Sequence, residues 1–251
     1  MAQANFRVYA ELNDFLPPSK RLVSYAHSFE GRSSIKDMLE SQGIPHTEVD
    51  DILVNNKSVN FSYVVQDGDE ISVYPVSATE TRELGSVRPK PLLVPRFVLD
   101  VHLGKLATSL RMLGFDTLYR NDYADEELAH ISSTEERILL TRDRGVLMRS
   151  IVSHGYYVRA TDPQRQVVEV LQRFDLFTSV TPFRRCLRCN GLLEPVSKET
   201  ITNQLPSLIQ QTVDEFHRCE KCSQIYWKGS HYERMQEFIA GVLGRQTHYA
   251  P

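Results

Sequence analysis

The chain has 251 residues, of which 41% are hydrophobic and 24% charged, with a formal net charge of −3. This composition is typical of a soluble globular protein, and the length predicts one large domain or two of ordinary size. No apolar run approaches the roughly 20 residues that a membrane-spanning helix needs, and the N-terminus lacks a basic segment followed by an apolar core. We therefore expect neither a membrane protein nor a signal peptide, and a cytoplasmic location is the default.

Charge is distributed unevenly along the chain. Residues 1–80 hold 6 Lys and Arg against 12 Asp and Glu, whereas residues 81–251 hold 23 against 20. Of those 23 cations, 18 are Arg and 5 are Lys. A guanidinium can bind phosphate oxygens bidentately, so the arginine excess suits phosphate recognition, although solvated surface explains the same charges.

The first 77 residues predict two strands, a short helix and two further strands. The helix, at 33–42, begins at a serine cap and ends at Gly43. The stretch LVNNKSVN…VVQDGDEISVYPV resembles the ThiS and MoaD sulfur carriers, which implies a ubiquitin-like β-grasp domain over 1–77. Those carriers end in a free Gly-Gly carboxylate, whereas this strand continues into SATETRELGSVRPK. We therefore expect a domain that docks a protein partner and not a sulfur carrier.

Residues 78–95 are predicted to be a linker, because Ser, Thr and Glu are followed there by Pro89, Pro91 and Pro95. Residues 96–182 then alternate short apolar runs with amphipathic helices, which predicts a parallel sheet. The predicted strands are 96–101, 115–119, 137–141 and 156–160. The predicted helices follow them at 103–113, 125–132, 145–153 and 163–173.

Acidic side chains follow the ends of these strands. Asp100 and Asp143 lie at strand ends, Asp122 lies just past another, and the helix after it opens with Asp125 and Glu126. Ligands bind beyond the carboxyl ends of parallel strands, so we expect these carboxylates to meet and to need a cation. Hard oxygen ligands select Mg²⁺ or Mn²⁺, which can activate water for phosphodiester cleavage. Helix capping and turn formation are the alternative roles of these acids.

Basic side chains flank the acids. Lys105 and Arg111 lie on the predicted helix 103–113, and Arg142 and Arg144 bracket Asp143. We expect these four cations to bind the phosphates of a substrate. The alternative is that they serve as counter-ions for neighbouring acids.

The run RFVLDVHLGKLATSLRMLGFDTLYRND-x-x-DEEL…RILLTRDRGVL resembles the PIN-like RNase domain at the C-terminus of the mut-seven exonuclease and in free-standing bacterial proteins. The resemblance implies a PIN-like α/β/α domain with a parallel sheet, a zinc ribbon after it and a ubiquitin-like domain before it. It implies that Asp100, Asp125 and Asp143 bind the catalytic metal, with Glu126 or Asp122 as a fourth acid.

The function that this resemblance implies is a metal-dependent ribonuclease acting on single-stranded RNA. The alternative is a non-catalytic RNA-binding adaptor whose β-grasp domain docks a partner protein. The predicted organisation is a β-grasp domain at 1–77, a linker at 78–95, a PIN-like domain at 96–182, and a zinc ribbon with a C-terminal helix at 183–251.

Residues 183–251 are predicted to form a zinc ribbon and a C-terminal helix. The only cysteines form two CxxC pairs, Cys186 with Cys189 and Cys219 with Cys222. Two such pairs predict a closed, structural zinc site with four thiolate ligands, whereas disulfides are disfavoured in the cytoplasm. The 29 residues between the pairs exceed the common spacing, which predicts a helical insertion near 205–211.

Aromatic and basic residues lie beside both cysteine pairs. Arg184, Arg185 and Arg188 flank the first pair, and Tyr226 and Trp227 follow the second. This combination suits a contact with RNA, in which charges meet phosphates and flat rings meet bases. Packing of Tyr226 and Trp227 against the sheet domain is the interpretation that we favour from sequence.

Overall fold

The computed structural model describes residues 1–75, 86–90 and 92–244. Much of the predicted linker, residues 78–85 and 91, lies outside the described residues. The chain divides into two compact units. The first comprises Met1–Val94 with Ala124–Tyr157, and the second comprises Pro95–Tyr123 with Val158–Pro251.

The first unit begins with a five-stranded mixed sheet and one helix. The elements are β1 (Ala2–Val8), β2 (Ser24–Phe29), α1 (Ile35–Ser41), β3 (Val49–Val54), β4 (Lys57–Ser58) and β5 (Glu70–Pro75). Strand order is β2-β1-β5-β3-β4, in which β1 and β5 are parallel and the other neighbours are antiparallel. This arrangement confirms the predicted β-grasp fold.

Helix α1 forms where local sequence signals agree. The Ser34 hydroxyl accepts a hydrogen bond from the Asp37 amide at 3.1 Å, which satisfies a free N–H of the first turn. Ile35 and Leu39 turn their side chains into the core and are fully buried. Gly43, with φ of +89°, ends the helix in a left-handed conformation that favours glycine.

The remainder of the first unit contributes a pair of parallel strands with their helices. Its elements are α3 (Asp125–Thr134), β8 (Ile138–Thr141), α4 (Arg144–Leu147) and β9 (Gly155–Tyr157). All four residues of β8 are buried, and β8 pairs with β9 in parallel, as the apolar run predicts.

Helix α4 is shorter than the predicted helix 145–153. It has four residues and is followed by a turn in which the Val152 amide donates to the Arg149 carbonyl at 3.0 Å. Val152 is fully buried, so the chain turns inward there. A Cβ at Gly155 would lie 2.6 Å from Leu147 Cδ2, so the return of the chain against α4 requires a residue without a side chain.

The β-grasp domain packs against the segment that carries β8 and β9. The Glu48 carboxylate is 1% exposed and accepts a hydrogen bond from the Tyr157 amide at 2.6 Å. His46 Nε2 lies 2.9 Å from the Val152 carbonyl oxygen. The rings of Phe15 and Tyr157 meet edge to face, with centroids 5.4 Å apart. The N-terminal domain is therefore joined to this segment by buried polar and aromatic contacts.

The second unit combines a parallel strand pair with an antiparallel ribbon. The elements are β6 (Phe97–Leu99), α2 (Gly104–Met112), β7 (Thr117–Tyr119), α5 (Pro163–Arg173), β10 (Leu193–Val196), α6 (Lys198–Ile201), α7 (Ser207–Thr212), β11 (Phe216–Cys219), β12 (Ile225–Trp227) and α8 (Ser230–Leu243). Strands β6 and β7 are parallel, and β10, β11 and β12 form an antiparallel sheet. Helix α7 confirms the predicted insertion between the cysteine pairs.

Helices α2 and α5 bury their apolar faces in this unit. Leu106 and Leu110 of α2 are fully buried. Asp162 caps α5 by accepting from the Arg165 amide at 2.9 Å. Gly114, with φ of +98°, ends α2 where an added Cβ would collide with the Thr181 carbonyl. Local capping and periodicity thus define these helices, as the sequence predicts.

Candidate functional site

The four cysteines converge in the second unit. Cys186 Sγ lies 3.6 Å from Cys222 Sγ, and Cys189 Sγ lies 3.4 Å from Cys219 Sγ. All four sulfur atoms lie within 4.8 Å of one another. Tetrahedral zinc with Zn–S bonds of about 2.3 Å separates its sulfur ligands by about 3.8 Å. The cluster therefore has the size and the donor set of a four-thiolate zinc site.

Tyr226 supports the cluster from β12. Its hydroxyl lies 3.2 Å from Cys186 Sγ and accepts a hydrogen bond from the Leu187 amide at 3.1 Å. Burial raises the pKa of the Cys186 thiol, but hydrogen bonds from Tyr226 and from the backbone outweigh it and lower that pKa to about 7. Partners of this kind fix the orientation of metal ligands.

The knuckle around the first cysteine pair is fixed to the end of α2 and the start of β7. The Asn190 side chain accepts from the Thr117 amide at 3.0 Å and donates to Asp116 at 2.8 Å. Arg185 lies 3.4 Å from the Asp116 carboxylate. The cysteine site and the parallel strands of the second unit are thus one connected structure.

Arg111 has a structural position that differs from the predicted contact with substrate. It is 4% exposed, and its guanidinium donates to the carbonyls of Thr117, Leu187 and Arg188 at 2.9–3.1 Å. Burial lowers its pKa, while the nearby cysteine thiols oppose that shift. Because the guanidinium is committed to backbone carbonyls, these contacts argue against its predicted role in binding phosphate.

Asp100 follows β6 directly and is 6% exposed. Its Oδ1 accepts from the Val101 amide at 2.5 Å, and the turn that follows leads into α2. The Tyr119 hydroxyl donates to the Val101 carbonyl at 3.0 Å, and a Cβ at Gly104 would lie 2.7 Å from that hydroxyl. Tyr119, which sequence reasoning missed, therefore holds the segment after Asp100 through a close approach that needs glycine.

Asp122 lies in the loop after β7 and is exposed. Both of its carboxylate oxygens accept from the Arg120 guanidinium, at 2.9 and 2.8 Å. This ion pair lowers the pKa of Asp122. Asp122 lies in a turn, and its carboxylate serves as the counter-ion of Arg120. These contacts favour the alternative roles of Asp122 over that of a metal ligand.

Asp125 and Glu126 open α3 in the first unit. The N-cap position is Ala124 and not Asp125, so Asp125 is not the capping residue. Both acidic side chains are exposed, and Glu126 lies 3.8 Å from Arg149. Anions at a helix N-terminus interact favourably with the helix dipole, so the first turn accommodates these charges without further partners.

Asp143 lies two residues beyond β8 and is exposed. Its Oδ1 accepts from the Gly145 amide at 2.7 Å, and its own amide donates to Thr141 Oγ1 at 2.9 Å. Thr141 is fully buried, so it fixes the Asp143 backbone. The threonine two residues before Asp143 is the sequence signal that indicates this backbone contact.

The predicted basic residues differ in their surroundings. Lys105 is exposed on α2, and Arg142 is half-buried. Arg144 is exposed and donates to the Phe15 carbonyl of the β-grasp domain at 3.2 Å. Lys105, Arg142 and Arg144 are therefore at least partly exposed to solvent, whereas Arg111 is buried.

Among residues 1–75, 86–90 and 92–244, the four cysteines are the one group of three or more His, Cys, Asp or Glu side chains that is arranged to hold a metal ion. The metal site of the strand-end acids stays a prediction.

Both the N-terminal part and the C-terminal part of the chain match known protein families. Residues 95–239 match the family model described as the Mut7-C RNAse domain. The chain belongs to the Mut7-C RNAse domain family. The match includes both CxxC pairs as well as the strand-end acids, and it supports a ribonuclease-type function for this Mut7-C chain.

The N-terminal part of the Mut7-C chain has a match of its own. Residues 1–81 match the Mut7-C ubiquitin family model. Two solved structures also resemble this part: the small archaeal modifier protein 1 of H. volcanii, at 14% identity and a TM-score of 0.25, and SAMP1 from Haloferax volcanii, at 13% and 0.24. Each covers 30% of this chain, which in turn covers 98% and 94% of theirs. No curated protein matches the chain.

In the part of the chain that the structure describes, no helix is both long enough and apolar enough to cross a bilayer.

Proposed function

We propose that this protein is a metal-dependent ribonuclease that hydrolyses phosphodiester bonds of single-stranded RNA. The observation that carries the proposal is the match of residues 95–239 to an RNase family. Acidic side chains at the carboxyl ends of parallel strands support it, because that edge is where such sheets bind ligands. A cytoplasmic location belongs to the same proposal, since four reduced cysteines suit a reducing compartment.

In this proposal Asp100, Asp125 and Asp143 hold a Mg²⁺ or Mn²⁺ ion, with Glu126 or Asp122 as a fourth acid. Their oxygen donors suit these hard cations. The caps made by Asp100 and Asp143 each use Oδ1, and a carboxylate has about four lone-pair sites, so capping does not prevent metal binding. The metal would polarise the phosphate and lower the pKa of a bound water.

The surface cations have a positioning role in the same proposal. Lys105, Arg142 and Arg144 hold the phosphates of the strand, and Arg111 is left out because it is buried. The contact of Arg144 with the Phe15 carbonyl supports a second role, in which the β-grasp domain steadies the segment that begins at Asp143. The zinc site is structural, because four thiolates close the coordination sphere.

One experiment tests the catalytic part of the proposal. The zinc-loaded protein is incubated with a labelled single-stranded RNA, with and without added Mn²⁺, and compared with an Asp100→Asn/Asp143→Asn double variant. We expect cleavage that needs Mn²⁺ and is lost, by at least about 100-fold, in the double variant. Cleavage at an unchanged rate in a folded double variant would refute the assignment.

A non-catalytic adaptor is the second candidate. The observation that favours it is that Asp100, Asp122 and Asp143 each have a local hydrogen-bonding partner. In that case the β-grasp domain docks a partner protein and the remainder binds RNA. Edge strand β2, preceded by the exposed side chains of Leu22 and Val23, is the part of the β-grasp domain that suits a partner.

A further inference from the structure

A groove with aromatic walls runs between β12 and α8 in the second unit. Two cavities, of about 240 Å³ and about 750 Å³, open along it. Tyr226, Trp227 and Tyr232 line both cavities. The two cavities therefore border one continuous strip of aromatic surface, and none of the predicted strand-end acids lines either of them.

The aromatic side chains of this groove are half-buried and offer flat faces. The rings of Phe183 and Tyr232 lie against each other, with centroids 4.6 Å apart and planes tilted by 35°. Trp227 packs its ring against Phe216, 6.5 Å away between centroids, and borders both cavities with the rest of its surface. Trp227 thus packs against a ring of the ribbon itself, and it leaves ring surface for a ligand.

Basic side chains line this groove together with the rings. The larger cavity is lined by Arg234 and His231 and by no carboxylate of the described residues. In the smaller cavity Glu215 faces Lys228, with which it pairs at 2.5 Å, and His217. Arg234 is exposed and makes no hydrogen bond or ion pair with another residue of 1–75, 86–90 or 92–244. The groove therefore offers a cation to an anionic ligand.

Flat aromatic faces next to an unpaired cation suit unpaired nucleotides, because bases stack on rings while phosphates meet cations. A duplex keeps its base faces stacked inside the helix, so it cannot use these rings. An acidic peptide would satisfy the cations but has no flat base for Tyr232 and Trp227.

We propose that this groove binds unpaired nucleotides of an RNA strand, with bases on Trp227 and Tyr232 and a phosphate at Arg234. The inference rests on the proposed function for its ligand class, since it gives that substrate a second binding surface.

Trp227 is the single tryptophan of the chain, so tryptophan emission reports on the groove alone. The zinc-loaded full chain is titrated, without added Mg²⁺ or Mn²⁺, with a single-stranded RNA of about 12 nucleotides, a length within the usual range of such sites. A blunt duplex of the same sequence and a polyglutamate peptide are titrated in parallel. We expect saturable quenching with the single strand and none with the other two.

Variants test the two halves of the groove. Tyr232→Leu keeps apolar bulk but removes a stacking face, and should weaken binding about tenfold. Arg234→Gln should weaken binding several-fold and reduce the slope of log affinity against log salt by about 1. Arg32→Gln removes an exposed arginine of the β-grasp domain and should change neither quantity.

Several outcomes overturn the inference. One is an emission unchanged by single-stranded RNA. Another is equal quenching by the duplex or the peptide. A third is an affinity of folded Arg234→Gln that equals that of Arg32→Gln. None of these outcomes depends on cleavage. If the protein cleaves RNA but fails this test, only the groove proposal is wrong. If it passes this test but does not cleave RNA, only the catalytic proposal is wrong.

Discussion

At the scale of single residues, Glu48 joins the β-grasp domain to β9. Its carboxylate is almost fully buried and accepts the Tyr157 amide at 2.6 Å. A buried N–H that loses its acceptor costs about 1–3 kcal/mol. The side chain therefore contributes to stability from a position 109 residues away in sequence from its partner.

Glu48→Ala should lower the free energy of unfolding by about 1–3 kcal/mol, because it leaves the Tyr157 amide without this acceptor. Urea denaturation followed by circular dichroism measures the change. Glu30→Ala, an exposed acid in the same domain, is the matched control and should change stability by less than about 0.5 kcal/mol. Equal stabilities of the two variants would contradict the role given to Glu48.

The sequence predicts which side chains lie at strand ends better than it predicts which groups those side chains contact. Asp100 and Asp143 lie where the strand pattern indicates, because capping depends on neighbours within a few residues. Two of the three carbonyls that bind Arg111 lie 76 and 77 residues away. A cation six residues from another on a helix carries no signal for such a partner, so its burial could not be predicted.

At the scale of elements, the cysteine ribbon is held from two sides. Its sulfur atoms cluster within 4.8 Å. Asn190 joins the first knuckle to β7, and Arg111 joins it to the end of α2. The CxxC spacing predicts the cluster because each pair is local in sequence. The length of α4 is not predictable in this way, since the chain after it returns to pack Gly155 closely against Leu147, a contact that the local pattern does not contain.

Cys189→Ser should weaken zinc binding by more than about 100-fold, because loss of an outer partner alone costs up to that much. Mass spectrometry of the purified protein measures bound zinc, and hydrogen exchange should show lost protection at 186–227 but not at 1–75. His217→Gln, which removes an exposed side chain of β11, should leave zinc content unchanged. Full zinc content in Cys189→Ser would contradict a four-thiolate site.

At the scale of the whole molecule, two matched domains share one chain. The β-grasp domain matches the Mut7-C ubiquitin family and the remainder matches the Mut7-C RNAse domain family. The fold class was predictable because strand and helix periodicity agree with turn and capping signals along the chain. The chemistry depends on whether acids distant in sequence share one cation, which periodicity does not determine.

Binding of Mn²⁺ tests that chemistry most directly. Isothermal titration of the zinc-loaded protein with Mn²⁺ should show saturable binding in addition to the zinc, because in the proposed site Asp100, Asp125 and Asp143 share one cation that offsets their repulsion. The Asp100→Asn/Asp143→Asn variant, with zinc content and fold intact, should lose that binding. Absence of Mn²⁺ binding in the unaltered protein, or undiminished binding in the double variant, would contradict the account and favour the adaptor.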